Sequence, residues 1–252
     1  MRIAEPSELQ PAGTLRLLRR YPVKSMAGED LQEARVTFSG LVGDRVYAFI
    51  DNNNHSNFPW MTARQARQML LFLPRFLDPP ALDDEIPETN RYSTEVVSPE
   101  GEKYWMGDVR LTEHLESRFG HSLRLRFSER SMTDARPVSL FSLGTAAALS
   151  EETGVTLDPR RFRANFYVQW EEQPPFFEDQ LIGRELQIGA DVTIQVVKKD
   201  SRCVIINLDP GTAESSPVVL EKVAREHDGC AGVYGAVLRE GVVRADDPVY
   251  LL

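Results

Sequence analysis

The 252-residue chain has only two cysteines, Cys203 and Cys230, and only four histidines. His55, His114, His121 and His227 are scattered, with no i, i+4 pair and no Cys-x-x-Cys neighbour. Such spacing speaks against a structural zinc site or an iron–sulfur cluster. Two thiols can pair in principle, but a chain of this length needs no disulfide, and so sparse a set reads as intracellular. No run approaches the roughly 20 apolar residues that span a bilayer. The first residues, Met-Arg-Ile-Ala-Glu-Pro-Ser-Glu, lack the apolar core of a secretory signal. Positive charge is not in excess either. A formal charge of −9 argues against nucleic acid or an anionic membrane as the main partner. A cytoplasmic protein is expected, and a local basic pocket for an anionic small molecule stays compatible with that charge.

What the chain does contain is ordinary globular material, 42% apolar and 27% charged, enough for one large domain or two small ones. Alternating runs predict strands over 14–21, 32–38, 45–50, 123–127, 138–141, 233–238 and 249–252. Ser98-Pro99-Glu100-Gly101 sits between two short runs, 95–97 and 103–105, and reads as a hairpin turn. Leu111, Leu115 and Phe119 recur four apart before Gly120 and predict a helix over 109–119. Further helices are expected at 144–152, ended by Gly154, and at 217–225. A strand is expected over 162–170, beginning with Arg163-Ala164-Asn165. Asp78 to Thr94 is acidic and proline-bearing and reads as an exposed loop. There is no internal repeat. The expected class is a β-rich α+β protein, divided into residues 1–94 and 95–252.

The chain is organised around residues 192–210. An alternating strand (Val192, Ile194, Val196) leads into a polar turn with Asp200, Ser201 and Arg202, and Cys203 stands at its exit. A thiol beside a fixed positive charge is more easily held as thiolate, the form that binds metals. The ordinary alternative is a small buried core residue, the usual fate of a free cysteine.

Five pieces in order decide between these. They are Tyr21-Pro22-Val23-Lys24-Ser25, Gly43-Asp44-Arg45, Thr62-Ala63-Arg64-Gln65, Arg161-Phe162-Arg163-Ala164-Asn165, and Ser201-Arg202-Cys203 with Asp209-Pro210; Asp247-Pro248-Val249-Tyr250 also fits. Together they resemble the MOSC superfamily with its N-terminal β-barrel companion, and within it the mitochondrial amidoxime-reducing component and bacterial relatives. The resemblance covers nearly the whole chain. It implies a MOSC-type β-barrel domain with a smaller N-terminal β-barrel-like domain and a molybdenum cofactor (Mo-molybdopterin) held between them. A pyridoxal phosphate site is not expected.

Carried over residue by residue, the resemblance makes Cys203 the metal ligand, with Arg202 helping to keep it ionised. It places Lys24, Ser25, Arg45 and Arg163 on the cofactor's phosphate end, where arginine grips an oxyanion bidentately. Asn165 is implied to hydrogen-bond the pterin or metal ligands, Thr62 and Ser201 to lie beside them, and Tyr234 to stand near the cofactor. Asp209 is implied on the substrate side as a proton relay or orienting group. Either Ser139 or Ser142 can reach the cofactor. Taken singly, each residue has a plainer reading. Lys24 and Arg45 can be solvated strand ends, Arg64 and Arg163 partners of surface carboxylates, Asn165 a turn cap and Asp209-Pro210 a strand stop.

The sequence departs from close relatives in Ala164, where proline is common, and in Met26, where some have cysteine. It also shows neither a membrane anchor nor a ferredoxin-like extension, so electrons are expected from a separate protein of cytochrome b5, ferredoxin or flavin-reductase type. The implied activity is reduction of small N-hydroxylated compounds, namely amidoximes, hydroxylamines and N-hydroxylated bases. The alternative is a cofactor carrier or sulfur-handling (persulfide) module without turnover.

Overall fold

The computed structural model describes residues 10–78, 82 and 93–252. The first part of the chain contributes β1 (Gly13–Arg20), β2 (Glu29–Leu31), β3 (Glu33–Thr37), β4 (Gly40–Leu41), β5 (Tyr47–Asp51) and β6 (Leu73–Phe76). There follow β7 (Thr94–Val97), β8 (Lys103–Trp105), α1 (Val109–Phe119) and β9 (Leu123–Phe127). The remainder is β10 (Val138–Ser142), α2 (Leu143–Thr153), β11 (Phe166–Trp170), β12 (Glu185–Ile188) and β13 (Val192–Ser201). The chain closes with α3 (Val218–Glu226), β14 (Cys230–Arg239), β15 (Gly241–Arg244) and β16 (Pro248–Leu251).

Seven strands close a barrel in the order β11-β10-β14-β13-β12-β16-β1, with β1 pairing back onto β11. All its neighbours are antiparallel except β10 and β11. A parallel pair cannot be joined by a tight turn, and α2 lies in the crossover between them. Leu15, Leu18, Leu140, Phe166, Val168, Ile188, Ile194, Val196 and Val249 belong to one core cluster and are almost wholly buried. Each such side chain removed from water stabilises the fold by about 1.5–3 kcal/mol. β10 is buried at every position, because α2 and α3 cover one face: Phe141 joins Leu149, Phe162, Tyr167, Val219 and Val223 in a second cluster.

A smaller unit packs beside the barrel. It holds the β5–β9 pair and the β6-β7-β8 sheet, with α1 against them. Its core is Met26, Val46, Phe49, Met61, Met69, Phe72, Val96, Leu111 and Leu115. α1 spans the predicted residues; Asp108 accepts the N–H of Arg110 at its start and Gly120 takes the left-handed conformation at its end (φ 73°). The hairpin at 98–101 is also present.

One expectation meets a different outcome. The strand expected from residue 162 begins at Phe166. Asp158 accepts from Arg160 N–H and Pro159 presets the first turn, so Pro159–Phe162 form a 3-10 turn ended by Arg163 in the left-handed region. Most of the acidic segment 78–94 lies outside the described residues. Among the described residues, no helix is long and apolar enough to cross a membrane, and both cysteines are free.

Candidate cofactor cleft

A cleft of about 270 Å³ opens between the smaller unit and the barrel. The segments that meet there include the turn after β1, the turn before β5, the β5–β6 loop, the β9–β10 loop, the 3-10 turn before β11, and the end of β13. Eight of its lining side chains are lysine or arginine and two are aspartate, in a chain whose net charge is −9. The cleft lining is thus positive in a chain that is negative overall.

The geometry begins with a buried carboxylate. Asp44 is fully buried and accepts the main-chain N–H of Tyr21 at 2.9 Å, and its other oxygen takes Arg45 Nη1 and the Ser131 hydroxyl. Gly43 precedes it at φ 83°, where an added Cβ would come within 2.6 Å of Phe76. Main-chain bonds from Arg45 N–H to Tyr21 and from Lys24 N–H to Tyr47 lay the two segments side by side. Arg45 Nη2 then reaches across to the carbonyl of Arg163 at 2.9 Å. Both guanidinium groups stack on Tyr21, 4.6 Å and 4.4 Å from the ring centre.

Ser25, Arg45 and Arg163 all adopt left-handed backbone, with φ of 67°, 48° and 51°. Non-glycine residues rarely sit there, and such strain concentrates at ligand clamps. Lys24 is 6% exposed; its ammonium donates to the Met132 carbonyl at 2.9 Å and to Asp134. Burial lowers the Lys24 pKa below its ordinary value, with Arg45 and Arg163 adding to that and Asp134 opposing it. Burial also pushes Arg163 down to about 10, and Arg45 beside it pushes the same way. Among the described residues, the buried Arg163 Nη2 meets no hydrogen-bond acceptor. Buried donors are nearly always satisfied, so this one can serve a bound acceptor.

Cys203 lies in the lining between β13 and the 3-10 turn Val204–Asn207, partly exposed. Ser201, Arg202 and Tyr234 line the same wall. The Arg202 guanidinium is committed to the carbonyls of Ala231 (2.6 Å) and Phe162 (2.9 Å) and pairs with Asp200 at 2.8 Å. It thus fixes the end of β13 against β14. Asp200 is 4% exposed and hydrogen-bonded to Tyr234. Burial raises the pKa of both groups. Thr62 lines the opposite side; its hydroxyl and main-chain N–H both donate to Gln65 Oε1 (2.6 and 3.2 Å), the second of these being one half of a capping box.

Of the two serines, Ser139 lines the cleft, whereas Ser142 caps the N-terminus of α2. Asn165 is placed one layer behind the lining. Its Oδ1 accepts from the Ser139 N–H and hydroxyl, both at 3.2 Å, and its Nδ2 donates to the Arg19 carbonyl. Asp209 is likewise behind the wall. It accepts from Arg161 Nη2 at 3.1 Å and from the N–H groups of Gly211 and Thr212. The lining residues that the sequence reading does not propose as site candidates include Asp134, Asp200, Arg161 and Phe58. Arg161 stood inside a quoted motif and Asp200 inside the central stretch, so both could have been found from their neighbours.

Residues 128–250 match the MOSC domain model, and residues 12–107 match the MOSC N-terminal β-barrel domain model. The chain belongs to the MOSC superfamily. This MOSC chain is 26% identical to mitochondrial amidoxime-reducing component 1 of Homo sapiens, over 97% of the chain and 84% of the relative. The Mus musculus protein of the same name is 24% identical over the same shares. Among solved structures, the YUAD protein from Bacillus subtilis superposes with a TM-score of 0.51 at 13% identity, covering 95% of this MOSC chain and 94% of that one. That likeness concerns the fold alone.

Proposed function

We propose that the cleft holds a molybdopterin-type molybdenum cofactor and that the protein reduces small N-hydroxylated compounds with electrons from a separate redox protein. The observation that carries this reading is the meeting of Cys203 with Lys24, Arg45 and Arg163 in one cleft. Among the described residues no group of three or more His, Cys, Asp or Glu side chains can hold a metal. A metal at Cys203 must therefore bring its other ligands with it, as a pterin dithiolene does, and a soft thiolate suits that company.

The residues fit such a group. Its terminal phosphate needs fixed positive donors, and the unpartnered Arg163 Nη2 is one. Ser25 and Thr62 put hydroxyl-bearing residues beside the cations. Ser139 puts a hydroxyl at the wall, held in place by Asn165. Bound there, the cofactor supplies two-electron chemistry that no side chain provides. Reduction of an N–OH group to N–H releases water and consumes two protons along with the two electrons. Asp200 and Tyr234, hydrogen-bonded in the wall that carries Cys203, can hold a proton for it. Asp209 acts one layer back, orienting Arg161.

The human relative is by name an amidoxime-reducing component, which supports this substrate class. The test is consumption of benzamidoxime or hydroxylaminopurine by protein made in cells competent for the cofactor, with an artificial electron donor. Turnover lost in Cys203→Ala is the expected result. Cofactor bound without turnover by the unaltered protein would instead indicate a carrier.

A further inference from the structure

A second cavity, of about 450 Å³, shares Arg163 with the cofactor cleft and no other lining residue. Its volume falls in the range of small-molecule sites, roughly 300–1,000 Å³. The lining combines three arginines (Arg19, Arg160 and Arg163) with apolar surface from Leu70, Leu71, Leu73, Pro99 and Pro210, and among the described residues no carboxylate side chain lines it. Tyr21, itself almost wholly buried, also borders it.

The three cations are unequally compensated. Arg160 is paired with Asp158, and Arg19 with Asp30. Arg19 is nonetheless 4% exposed, and among the described residues its Nε and the Nη2 of Arg163 have no hydrogen-bond partner. The Arg163 guanidinium lies over the Tyr21 ring, with Tyr167 and the like charges of Arg45 and Arg19 nearby. Arg19 and Arg163, two cations not fully compensated by carboxylates, line the cavity beside an apolar wall, and that combination matches an anion that has a greasy body. A planar carboxylate suits the guanidinium fork, and an aromatic or branched hydrocarbon part would cover the leucine and proline side.

We propose that this cavity is a second ligand site, for a small organic carboxylate on an apolar body, and that it shares Arg163 with the cofactor cleft. Because one guanidinium serves both sites, an anion in either weakens binding of an anion in the other, and by linkage the effect is reciprocal. The proposal stands without the molybdenum reading, since it needs only the folded chain.

The experiment is calorimetric titration of the cofactor-free chain with benzoate, and with acetate as the anion lacking an apolar body. Expected is saturable 1:1 binding of benzoate, with acetate at least about tenfold weaker. Leu73→Glu places a carboxylate at the exposed rim and should weaken benzoate about tenfold or more. Arg160→Ala, a second surface change, should weaken it in the same direction. Lys24→Ala, on the cleft side, should leave it unchanged. Thermal melts confirm that each variant is folded. Absence of saturable benzoate binding by the unaltered chain overturns the proposal. So does binding that survives Leu73→Glu and Arg160→Ala but is lost with Lys24→Ala, which would put the anion in the cleft.

Discussion

Arg45 donates through Nη2 to the main-chain carbonyl of Arg163 at 2.9 Å, so one buried guanidinium ties the smaller unit to the barrel beside the cleft. The same guanidinium is pinned from behind by Asp44, which is fully buried. Replacing Arg45 with Met would leave that carboxylate buried and without its cation. Loss of one partner of a buried pair costs about 3–5 kcal/mol. Urea unfolding of Arg45→Met should show a fall of this size, together with loss of anion binding in the cleft. A fall below about 1 kcal/mol would mean the tie is not structural.

Ser25 faces a different constraint. Its φ of 67° is tolerated by glycine at no steric cost, whereas an L-residue there carries roughly 1–2 kcal/mol. Ser25→Gly should therefore unfold at the same or higher denaturant, by up to about 1 kcal/mol once glycine's extra chain entropy is offset. The same variant should retain less cofactor, because the hydroxyl is gone. A destabilised Ser25→Gly with full cofactor content would show the serine to be a packing residue.

Glu178 is wholly buried, and accepts from Ser142 N–H (3.2 Å) and from the Thr145 hydroxyl (3.0 Å). Burial raises its pKa from 4.5 to about 7. A carboxyl whose folded pKa lies above its unfolded one destabilises the fold as it ionises, so the cost appears between about pH 4.5 and 7 and is complete above that. Glu178→Gln keeps the shape and escapes ionisation. It should be more stable than the parent at pH 8, by about 3 kcal/mol at most, and no more stable at pH 4. Equal stability at both pH values would show that the carboxyl is not suppressed.

Much of the cleft was legible because its residues lie in short, distinctive runs. Lys24-Ser25, Gly43-Asp44-Arg45, Arg163 and Ser201-Arg202-Cys203 all reach it. So was the local structure with its own stop signals, such as the helix bounded by Asp108 and Gly120. Closure of the barrel was not legible, since β1 finds β11 about 150 residues along the chain and no local pattern encodes that pairing. Asp134 escaped notice for a related reason. It sits in an aperiodic loop, and its partner Lys24 is 110 positions away. Motif alone puts Asn165 at the cofactor and Asp209 on the substrate side. Spacing along a chain does not tell a lining side chain from the one that holds it, and both stand behind residues that line the cleft.

The most direct test of the account is molybdenum and pterin content per chain, measured for the parent protein and for Cys203→Ala after production in cofactor-competent cells. The account predicts close to one of each per parent chain, and a variant that loses metal while Lys24, Arg45 and Arg163 still retain part of the pterin. Equal molybdenum in both proteins, or none in the parent, would contradict it.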